Sequence, residues 1–254
     1  MTDPSTQEQQ PCDLTLFVAC YNEAGNIVGA LDVLRDALGE FQFTYEIIVI
    51  DDGSRDNSVE VVREYMQRYP AAPISLVVNP ENRGVAYNFI EGAFLGHGTY
   101  YRMVCGDDVE PKEALVDTFS KIGQADVVLS YHTCHTRSQF REVVSKAFTF
   151  LVNVITGYRL KYYNGLPIFK RRDVMRWHSY SSGFGFQADV VARLLDNGAT
   201  YVEVPVPAHE RATGKSTALT FRNFCSVAHL LWELAVRRVS RALFGKRTAK
   251  PSSK

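Results

Sequence analysis

The sequence has no excess of charge of either sign and no hydrophobic run long enough to cross a bilayer. Lysine plus arginine and aspartate plus glutamate number 28 each, so the chain has no overall field that would attract nucleic acid. No stretch approaches the roughly 18 consecutive apolar residues of a membrane span. An anionic partner would therefore have to be bound by a local arrangement of residues.

Cysteine is sparse, and its five positions form no CxxC pair. Scattered cysteines, odd in number, are typical of reduced thiols in a cytoplasmic protein rather than of a disulfide framework. His132, Cys134 and His135 lie close together, but no second pair of ligands has the spacing of a zinc site. We therefore expect a cytoplasmic protein without structural zinc.

Two nucleotide-binding signatures are also missing. A dinucleotide-binding fold would place GxGxxG after the first strand, but residues 19–26 read ACYNEAGN. The glycine-rich, lysine-bearing phosphate loop of nucleotidyltransferases is absent from the same place. These absences argue against NAD binding and against nucleotidyl transfer.

Strand and helix patterns alternate through the first half of the chain. The predicted strands are residues 13–20, 46–50, 74–79 and 99–105. Continuous apolar strands separated by helices predict an α/β fold with a mostly parallel central sheet flanked by helices. Such sheets bind ligands at the carboxyl ends of their strands. Polar clusters follow the strands at residues 21–23, 51–52, 82–84 and 107–110.

Adjacent aspartates, Asp51 and Asp52, end the second predicted strand. Taken alone, the pair has two open interpretations, either turn and helix-cap chemistry or a binding site. The pattern recurs at Asp107 and Asp108, again between a strand and a helix. Asp108 and Glu110 are two residues apart, so in extended backbone they project to one side as the hard oxygen ligands that Mg2+ or Mn2+ prefers. The two clusters together indicate a nucleoside diphosphate bound through a divalent cation.

Five motifs, in order and spacing, resemble glycosyltransferase family 2 enzymes of GT-A fold. They are ACYNEAGNI, EIIVIDDGSRDNS, NRGVAYN, GDDVEP and EVPVPAHERATGKST. Within that family the sequence is most similar to the polyprenyl- and dolichyl-phosphate sugar synthases. The resemblance implies a Rossmann-like nucleotide-diphospho-sugar transferase. We expect a disordered leader (1–12), a GT-A domain (13–220) with a nucleotide-binding half (13–111) and an acceptor half (112–220), and a C-terminal amphipathic helix with a basic tail (221–254).

The resemblance also assigns the donor site, which would hold a UDP- or GDP-linked sugar. Asp52 would contact the base or ribose, while Asp51 supports the turn. Tyr21, Glu23 and Arg83 would line the same pocket.

Asp107 and Asp108 resemble the DxD region of the family. The first aspartate position of that motif holds Gly106 here. The resemblance therefore implies that Asp108 carries the Mg2+ or Mn2+, with help from Glu110.

Transfer of the sugar requires positive charge at the departing diphosphate. Arg211 and Lys215, in the loop HERATGKST, resemble the family segment that closes over the diphosphate. A solvated basic turn is the alternative interpretation.

The acceptor decides whether a general base is needed, because a neutral hydroxyl is a poor nucleophile whereas a phosphate is already ionised. Asp189 lies where the family often has an acidic residue and is the candidate base, or it simply begins a helix. Gln187 stands at a position that is often glutamate in relatives. The aspartate that the lipid-phosphate enzymes carry near YYNGLPIF is missing, with Asn164 and Gly165 nearest.

Basic residues appear in two segments outside the donor motifs. Arg137, Arg141 and Lys146 would either bind an acceptor phosphate or form the solvated face of an amphipathic helix. After Glu233 there are seven basic residues and no acidic one. A helix over 221–245 that carries these charges would either lie on an anionic bilayer, giving peripheral contact with the inner face of a membrane, or pack on its own domain.

The function expected from the sequence is metal-dependent, inverting transfer of a sugar from a nucleoside-diphosphate donor to a lipid-linked acceptor, with a polyprenyl phosphate foremost. Two alternatives stay open. One is transfer to a hydroxyl of a soluble or glycan acceptor. The other is a catalytically weak nucleotide-sugar-binding subunit, which the departures at Gly106 and Gln187 motivate.

Overall fold

The computed structural model describes residues 12–107, 110–133, 139–176, 183, 185–207 and 221–244. Within these residues the strands are β1 (Leu14–Cys20), β2 (Tyr45–Asp51), β3 (Ile74–Val78), β4 (Tyr100–Cys105), β5 (Val127–His132), β6 (Ile168–Lys170) and β7 (Tyr201–Val206). The helices are α1 (Ile27–Leu38), α2 (Ser58–Arg68), α3 (Val85–Leu95), α4 (Lys112–Phe119), α5 (Gln139–Thr156), α6 (Arg171–Arg176), α7 (Phe186–Asp196) and α8 (Phe221–Phe244).

The described strands form one sheet in the order β3-β2-β1-β4-β6-β5-β7. β6 runs antiparallel to β4 and β5, and the other pairings are parallel. The predicted α/β fold with a mostly parallel sheet is confirmed. Because β2, β1 and β4 are parallel neighbours, the loops that follow them meet at one edge of the sheet. That edge contains the acidic clusters.

Apolar patterning explains why these segments fold as they do. In α1, residues Ile27, Leu31, Leu34 and Leu38 recur at helical spacing, and all four are buried. Burial of each such side chain contributes roughly 1.5–3 kcal/mol. One core lies between the sheet and helices α1, α2 and α4, and a second lies on the opposite face with α3 and α5 to α8.

At the start of α2, Asn57 and Glu60 have the three-residue spacing of a capping box. The structure caps this helix in another way. Asn57 is the N-cap residue, but its side chain makes no capping hydrogen bond. Asp56 Oδ1 instead accepts a 3.0 Å hydrogen bond from the Ser58 amide. The Asn57–Glu60 pattern therefore coincides with the start of α2, although the capping box that it resembles is not formed.

The C-terminal helix α8 packs on the rest of the domain. Leu230 and Leu234 are buried in the core that α8 shares with α5 and α7. Trp232, Val236 and Leu243 lie on the opposite side of α8 and are exposed. None of the helices in the described part of the chain is long and apolar enough to cross a membrane.

Candidate active site

The loops after β1 and β2 are bonded to each other. The Asn22 amide donates to Ser54 Oγ at 2.9 Å, and Asn22 Oδ1 accepts from the Arg55 amide at 2.8 Å. Asn22 has a φ of 55°, a left-handed conformation that asparagine adopts more readily than most residues. These bonds fix the two loops to each other at the carboxyl edge of the sheet.

Tyr21 and Glu23 lie in the loop after β1. The Tyr21 side chain is exposed. The Glu23 amide donates to Ser58 Oγ at 2.9 Å, and Glu23 Oε2 accepts from Asn26 Nδ2 at 2.7 Å. The structure therefore places both predicted pocket residues at the carboxyl edge of the sheet, with Glu23 anchored and Tyr21 accessible.

The adjacent aspartates have different roles. Asp51 Oδ1 accepts a 3.0 Å hydrogen bond from the Ser54 amide, which closes the turn after β2. Asp52 is buried and accepts from the backbone amides of Arg83 at 2.8 Å and Gly84 at 2.9 Å. Asp52 thus connects the β2 loop to the loop that precedes α3.

Hydrogen bonding keeps Asp52 ionised. Burial alone would raise its pKa, but the bonds from the Arg83 amide, Asn88, Asn79 and the Gly84 amide together hold the pKa below its ordinary value. Asn79 Nδ2 also bonds Asn88 Oδ1 at 2.8 Å, so the network extends into α3. A carboxylate has about four acceptor positions, and these four bonds occupy them, so Asp52 holds the loop before α3 firmly in place.

Arg83 and Tyr87 form a stacked pair at the start of α3. The Arg83 guanidinium carbon lies 3.6 Å from the centre of the Tyr87 ring, and Arg83 Nη1 lies 3.9 Å from Glu91 Oε1. Tyr87 is exposed. The Arg83 backbone is held by Asp52 and its side chain by Tyr87, so its position is defined at both ends.

Close packing explains the glycine at the first position of the DxD-like motif. A Cβ at Gly106 would lie 2.8 Å from the Ala19 carbonyl oxygen and 3.0 Å from Ile27 Cδ1. The Gly106 amide donates to that same Ala19 oxygen at 2.9 Å. An aspartate therefore does not fit here. Asp107 is half-buried at this edge, and Asp108 lies outside the described residues.

Glu110 is held by an arginine from within the sheet. Glu110 Oε1 accepts from Arg102 Nη2 at 2.5 Å, and the Arg102 side chain is fully buried. Glu110 Oε2 is buried and has no hydrogen-bond partner. Among the described residues, no group of three or more histidine, cysteine, aspartate or glutamate side chains forms a metal cluster.

Asp189 is placed away from solvent in α7. Its two oxygens pair with Arg237 Nη2 at 2.6 Å and with Arg193 Nε at 3.1 Å, and its side chain has no exposed surface. Gln187, in the same helical turn, is buried, and its Oε1 has no hydrogen-bond partner. The arrangement binds the Asp189 carboxylate to cations on both sides.

The remaining predicted site residues fall partly outside the described structure. Arg211, Lys215 and Arg137 lie outside it, as does the side chain of Arg141. Lys146 is exposed on α5 and pairs with Glu142 Oε1 at 2.5 Å.

Sequence reasoning did not single out Arg102, Asn79 or Tyr87. Arg102 had a signal, because a lone charge in the apolar strand TYYRMVC must find a partner when the strand is buried. Asn79 and Tyr87 had none, since polar and aromatic residues are common at strand ends and helix starts.

Comparisons with known proteins agree with this geometry. Residues 15–183 match the family model described as glycosyl transferase family 2. The chain is 30% identical over 162 residues to a dolichyl-phosphate beta-glucosyltransferase of Dictyostelium discoideum, covering 59% of this chain and 48% of that protein. It is 28% identical over 169 residues to the human protein of the same name, covering 59% and 52%. The chain thus spans about half the length of these relatives.

Solved structures share the fold at low sequence identity. Glucosyl-3-phosphoglycerate synthase from Mycobacterium tuberculosis, in complex with Mn2+, UDP and glucosyl-3-phosphoglycerate, superposes with a TM-score of 0.61 at 15% identity, covering 89% of this chain and 80% of that one. A mannosyltransferase from Pyrobaculum calidifontis with GDP-Man and Mn2+ gives 0.57 at 17% identity, covering 94% and 77%. This chain therefore belongs to glycosyl transferase family 2 and has the GT-A fold.

Proposed function

We propose that the protein transfers a sugar from a nucleoside-diphosphate donor to the phosphate of a membrane lipid, foremost a polyprenyl phosphate. The observation that carries the choice of acceptor is the burial of Asp189 between Arg193 and Arg237. This carboxylate was the candidate base, and a base is needed for a hydroxyl acceptor but not for an ionised phosphate. The names of the relatives, dolichyl-phosphate beta-glucosyltransferases, support the same acceptor class.

The donor would lie at the edge where the loops after β1, β2 and β4 meet. Asp52 would contact the base or ribose, and Tyr21, Glu23 and Arg83 would line the pocket. Asp107 would lie next to the diphosphate. The bonds that already hold Asp52, Glu23 and Arg83 favour this role, because they fix the pocket before the nucleotide arrives.

The reaction would be a single displacement with inversion. An oxygen of the acceptor phosphate attacks the anomeric carbon from the face opposite the diphosphate. As the new carbon–oxygen bond forms, the bond to the diphosphate breaks, and the diphosphate leaves with the electron pair. No proton needs to be removed from the acceptor. We propose that Arg211 and Lys215 stabilise the negative charge that develops on the leaving group.

Glu110 supports a divalent cation at the acidic loop. Glu110 Oε2 is buried without a hydrogen-bond partner, while Oε1 is fixed by Arg102. Asp108 and Glu110 would hold the ion, which would be Mg2+ or Mn2+ because their oxygens are hard ligands. When bound, the ion would supply further positive charge to the departing diphosphate.

Calorimetric titration with UDP and GDP, each with and without Mn2+, tests the donor site. We expect one nucleotide to bind in a Mn2+-dependent manner and Asp108→Ala to weaken that binding at least tenfold. Asp117→Ala, which removes an exposed carboxylate from α4, is the matched control and should bind as the wild type does. Absence of nucleotide binding under every condition would overturn the proposal.

Assays with different acceptors test whether the sugar is transferred to a lipid phosphate. We expect transfer to polyprenyl phosphate in lipid extracts and none to the dephosphorylated polyprenol. Rates at saturating substrate should fall at least tenfold in Arg211→Ala and in Lys215→Ala, and stay unchanged in Lys146→Ala. Transfer to a hydroxyl that depends sharply on Asp189 in a folded variant would instead establish the hydroxyl acceptor. Donor binding without turnover would indicate a binding subunit.

Membrane contact would bring the enzyme to a lipid acceptor, and an exposed apolar face supports it. The face consists of Val143, Phe150 and Val154 on α5 and Trp232, Val236, Val239, Leu243 and Phe244 on α8, all of them exposed. The two helices pack against each other, and we propose that these residues lie on one surface. Apolar surfaces of this extent on soluble domains usually contact a partner or a membrane.

The charges near this face favour an anionic bilayer as the partner. Arg238 is exposed beside it, and four further basic residues follow α8 in the sequence with no acidic one among them. Arg237 and Arg241 are not available for lipid, because they pair with Asp189 and Asp196 on α7.

Flotation with liposomes that contain anionic lipid tests this contact. We expect Phe150→Ser combined with Trp232→Ser to lower the bound fraction at least fivefold. Phe94→Ser, which removes a similarly exposed aromatic ring from α3, is the control and should leave binding unchanged. Equal binding by the double variant would contradict the proposal. So would a wild-type protein that self-associates and ignores the liposomes.

A further inference from the structure

Arg102 is a charged residue in a place that disfavours charge. Its side chain is fully buried beneath α4, where its guanidinium carbon lies 5.6 Å from the centre of the Phe119 ring. A buried cation is tolerated only where other groups pair with it or accept its hydrogen bonds. The partners of Arg102 therefore show what this position does.

Those partners belong to two different loops. Nη2 donates to Glu110 Oε1 at 2.5 Å, in the acidic loop after β4. Nε donates to the carbonyl oxygen of Leu166 at 3.0 Å, in the segment before β6. Glu110 lies in the predicted nucleotide-binding half, whereas Leu166 lies in the predicted acceptor half. One guanidinium thus joins the two halves below the candidate site.

The structure is unusual at both contacts of Arg102. Leu166 has a φ of 51°, a conformation that is uncommon for a residue other than glycine and persists where the surroundings impose it. Arg102 Nη1 and Glu110 Oε2 are both buried without a hydrogen-bond partner. Buried polar atoms without hydrogen-bond partners are costly in a core. The presence of one on each residue of this pair therefore calls for a role other than stability alone.

We propose that Arg102 is a positioning residue that couples the acidic loop to residues 164–166. Through Glu110 it sets the position of the loop that would hold the cation and the donor diphosphate. Through Leu166 it sets the segment next to Asn164 and Gly165, which stands where related enzymes carry an acceptor-site aspartate. Donor binding would then order the acceptor segment. The inference rests on the proposed donor site.

Substitution by lysine tests the coupling, because lysine keeps the charge but lacks the planar fork that reaches both partners. We expect Arg102→Lys to weaken Mn2+-dependent binding of UDP or GDP, whichever the wild type binds, at least tenfold. Arg171→Lys is the matched control. Arg171 also donates to two backbone carbonyls, those of Gly98 and Ala93, but next to the amino end of β4. The control should lose thermal stability without losing nucleotide affinity.

Hydrogen exchange on the wild-type protein gives a second readout, which does not depend on a variant that folds. Addition of the nucleotide with Mn2+ should slow exchange of the amides of residues 163–166 at least fivefold. The amides of residues 96–99, near Arg171, should exchange at an unchanged rate.

The possible outcomes separate the two proposals. Unchanged exchange at residues 163–166, or wild-type affinity in a folded Arg102→Lys variant, would overturn the coupling and leave the donor site standing. A loss of affinity that Arg171→Lys reproduces would mean that Arg102 is merely structural. A wild-type protein that binds neither nucleotide would overturn the coupling together with the proposed function.

Discussion

Arg237 of α8 donates a 2.6 Å hydrogen bond to Oδ1 of Asp189, a carboxylate on α7 that has no exposed surface. Arg193 pairs with the other oxygen of Asp189 at 3.1 Å. Further along both helices, Arg241 pairs with Asp196. The C-terminal helix is therefore attached to α7 by charge as well as by its buried leucines.

This attachment predicts that two neighbouring arginines, Arg237 and Arg238, contribute differently to the free energy of unfolding. Arg237→Met removes the 2.6 Å partner of the buried Asp189 carboxylate, so we expect the free energy of unfolding to fall by about 3 kcal/mol. Arg238→Met, at the adjacent exposed position, should change it by less than about 0.5 kcal/mol. Urea denaturation at pH 7 measures both. Equal effects in the two variants would show that the buried pair does not stabilise α8.

Asp52 predicts a link between loop structure and nucleotide affinity. The Arg83 and Gly84 amides donate to different oxygens of Asp52, so Asp52→Asn, which replaces one oxygen by an amide nitrogen, can keep only one of these two bonds. The loop before α3 should loosen, and titration should show at least tenfold weaker binding of UDP or GDP. Asp117→Asn, exposed on α4, is the control. Unchanged affinity in Asp52→Asn would mean that this loop does not form the donor pocket.

The packing around Gly106 predicts that an aspartate at this position cannot restore the more usual DxD motif. Gly106→Ala places a Cβ 2.8 Å from the Ala19 carbonyl oxygen, so we expect a loss of about 1–3 kcal/mol in the free energy of unfolding. Gly106→Asp should lose at least as much and gain no affinity for Mn2+. Gly25→Ala is the control, because a Cβ there meets no atom within 4 Å. Tighter Mn2+ binding by a stable Gly106→Asp protein would contradict this account.

Asp126 predicts how one contribution to stability depends on pH. Burial alone would raise the pKa of Asp126, but bonds from Lys170 at 2.5 Å and from the Thr200 amide at 2.8 Å and hydroxyl at 2.7 Å outweigh it and lower the pKa to about 2. Because the folded pKa is depressed, the stabilisation is present above the ordinary pKa and is lost as pH falls through the folded value.

The comparison of wild type with Asp126→Asn measures this contribution. The difference in the free energy of unfolding should be about 1–2 kcal/mol and constant from pH 7 to about pH 5. It should shrink below about pH 4, where the carboxylate of the unfolded chain becomes protonated. A difference that stays constant down to pH 3 would show that the ion pair is not its source.

Several features could be predicted from the sequence because they depend on local pattern. The apolar runs of β1 and β2, the turn chemistry of Asp51 and the helical period of α8 each involve residues that are close in the chain. The five motifs in order indicate the family, and the family model that matches residues 15–183 confirms it. The acidic clusters follow from the same logic, since neighbouring parallel strands bring their ends together.

Other features depend on contacts between residues distant in sequence. β6 is three residues long, too short for a pattern, and its antiparallel pairing is decided by the strands on both sides of it. Asp189 and Arg237 are 48 residues apart, and Arg102 and Leu166 are 64 apart. The sequence by itself determined the family, the strands β1 to β4 and the edge of the sheet at which their polar clusters lie. Only the tertiary structure decided which charge meets which, because a buried charge is stabilised by whatever partner the packing brings within reach.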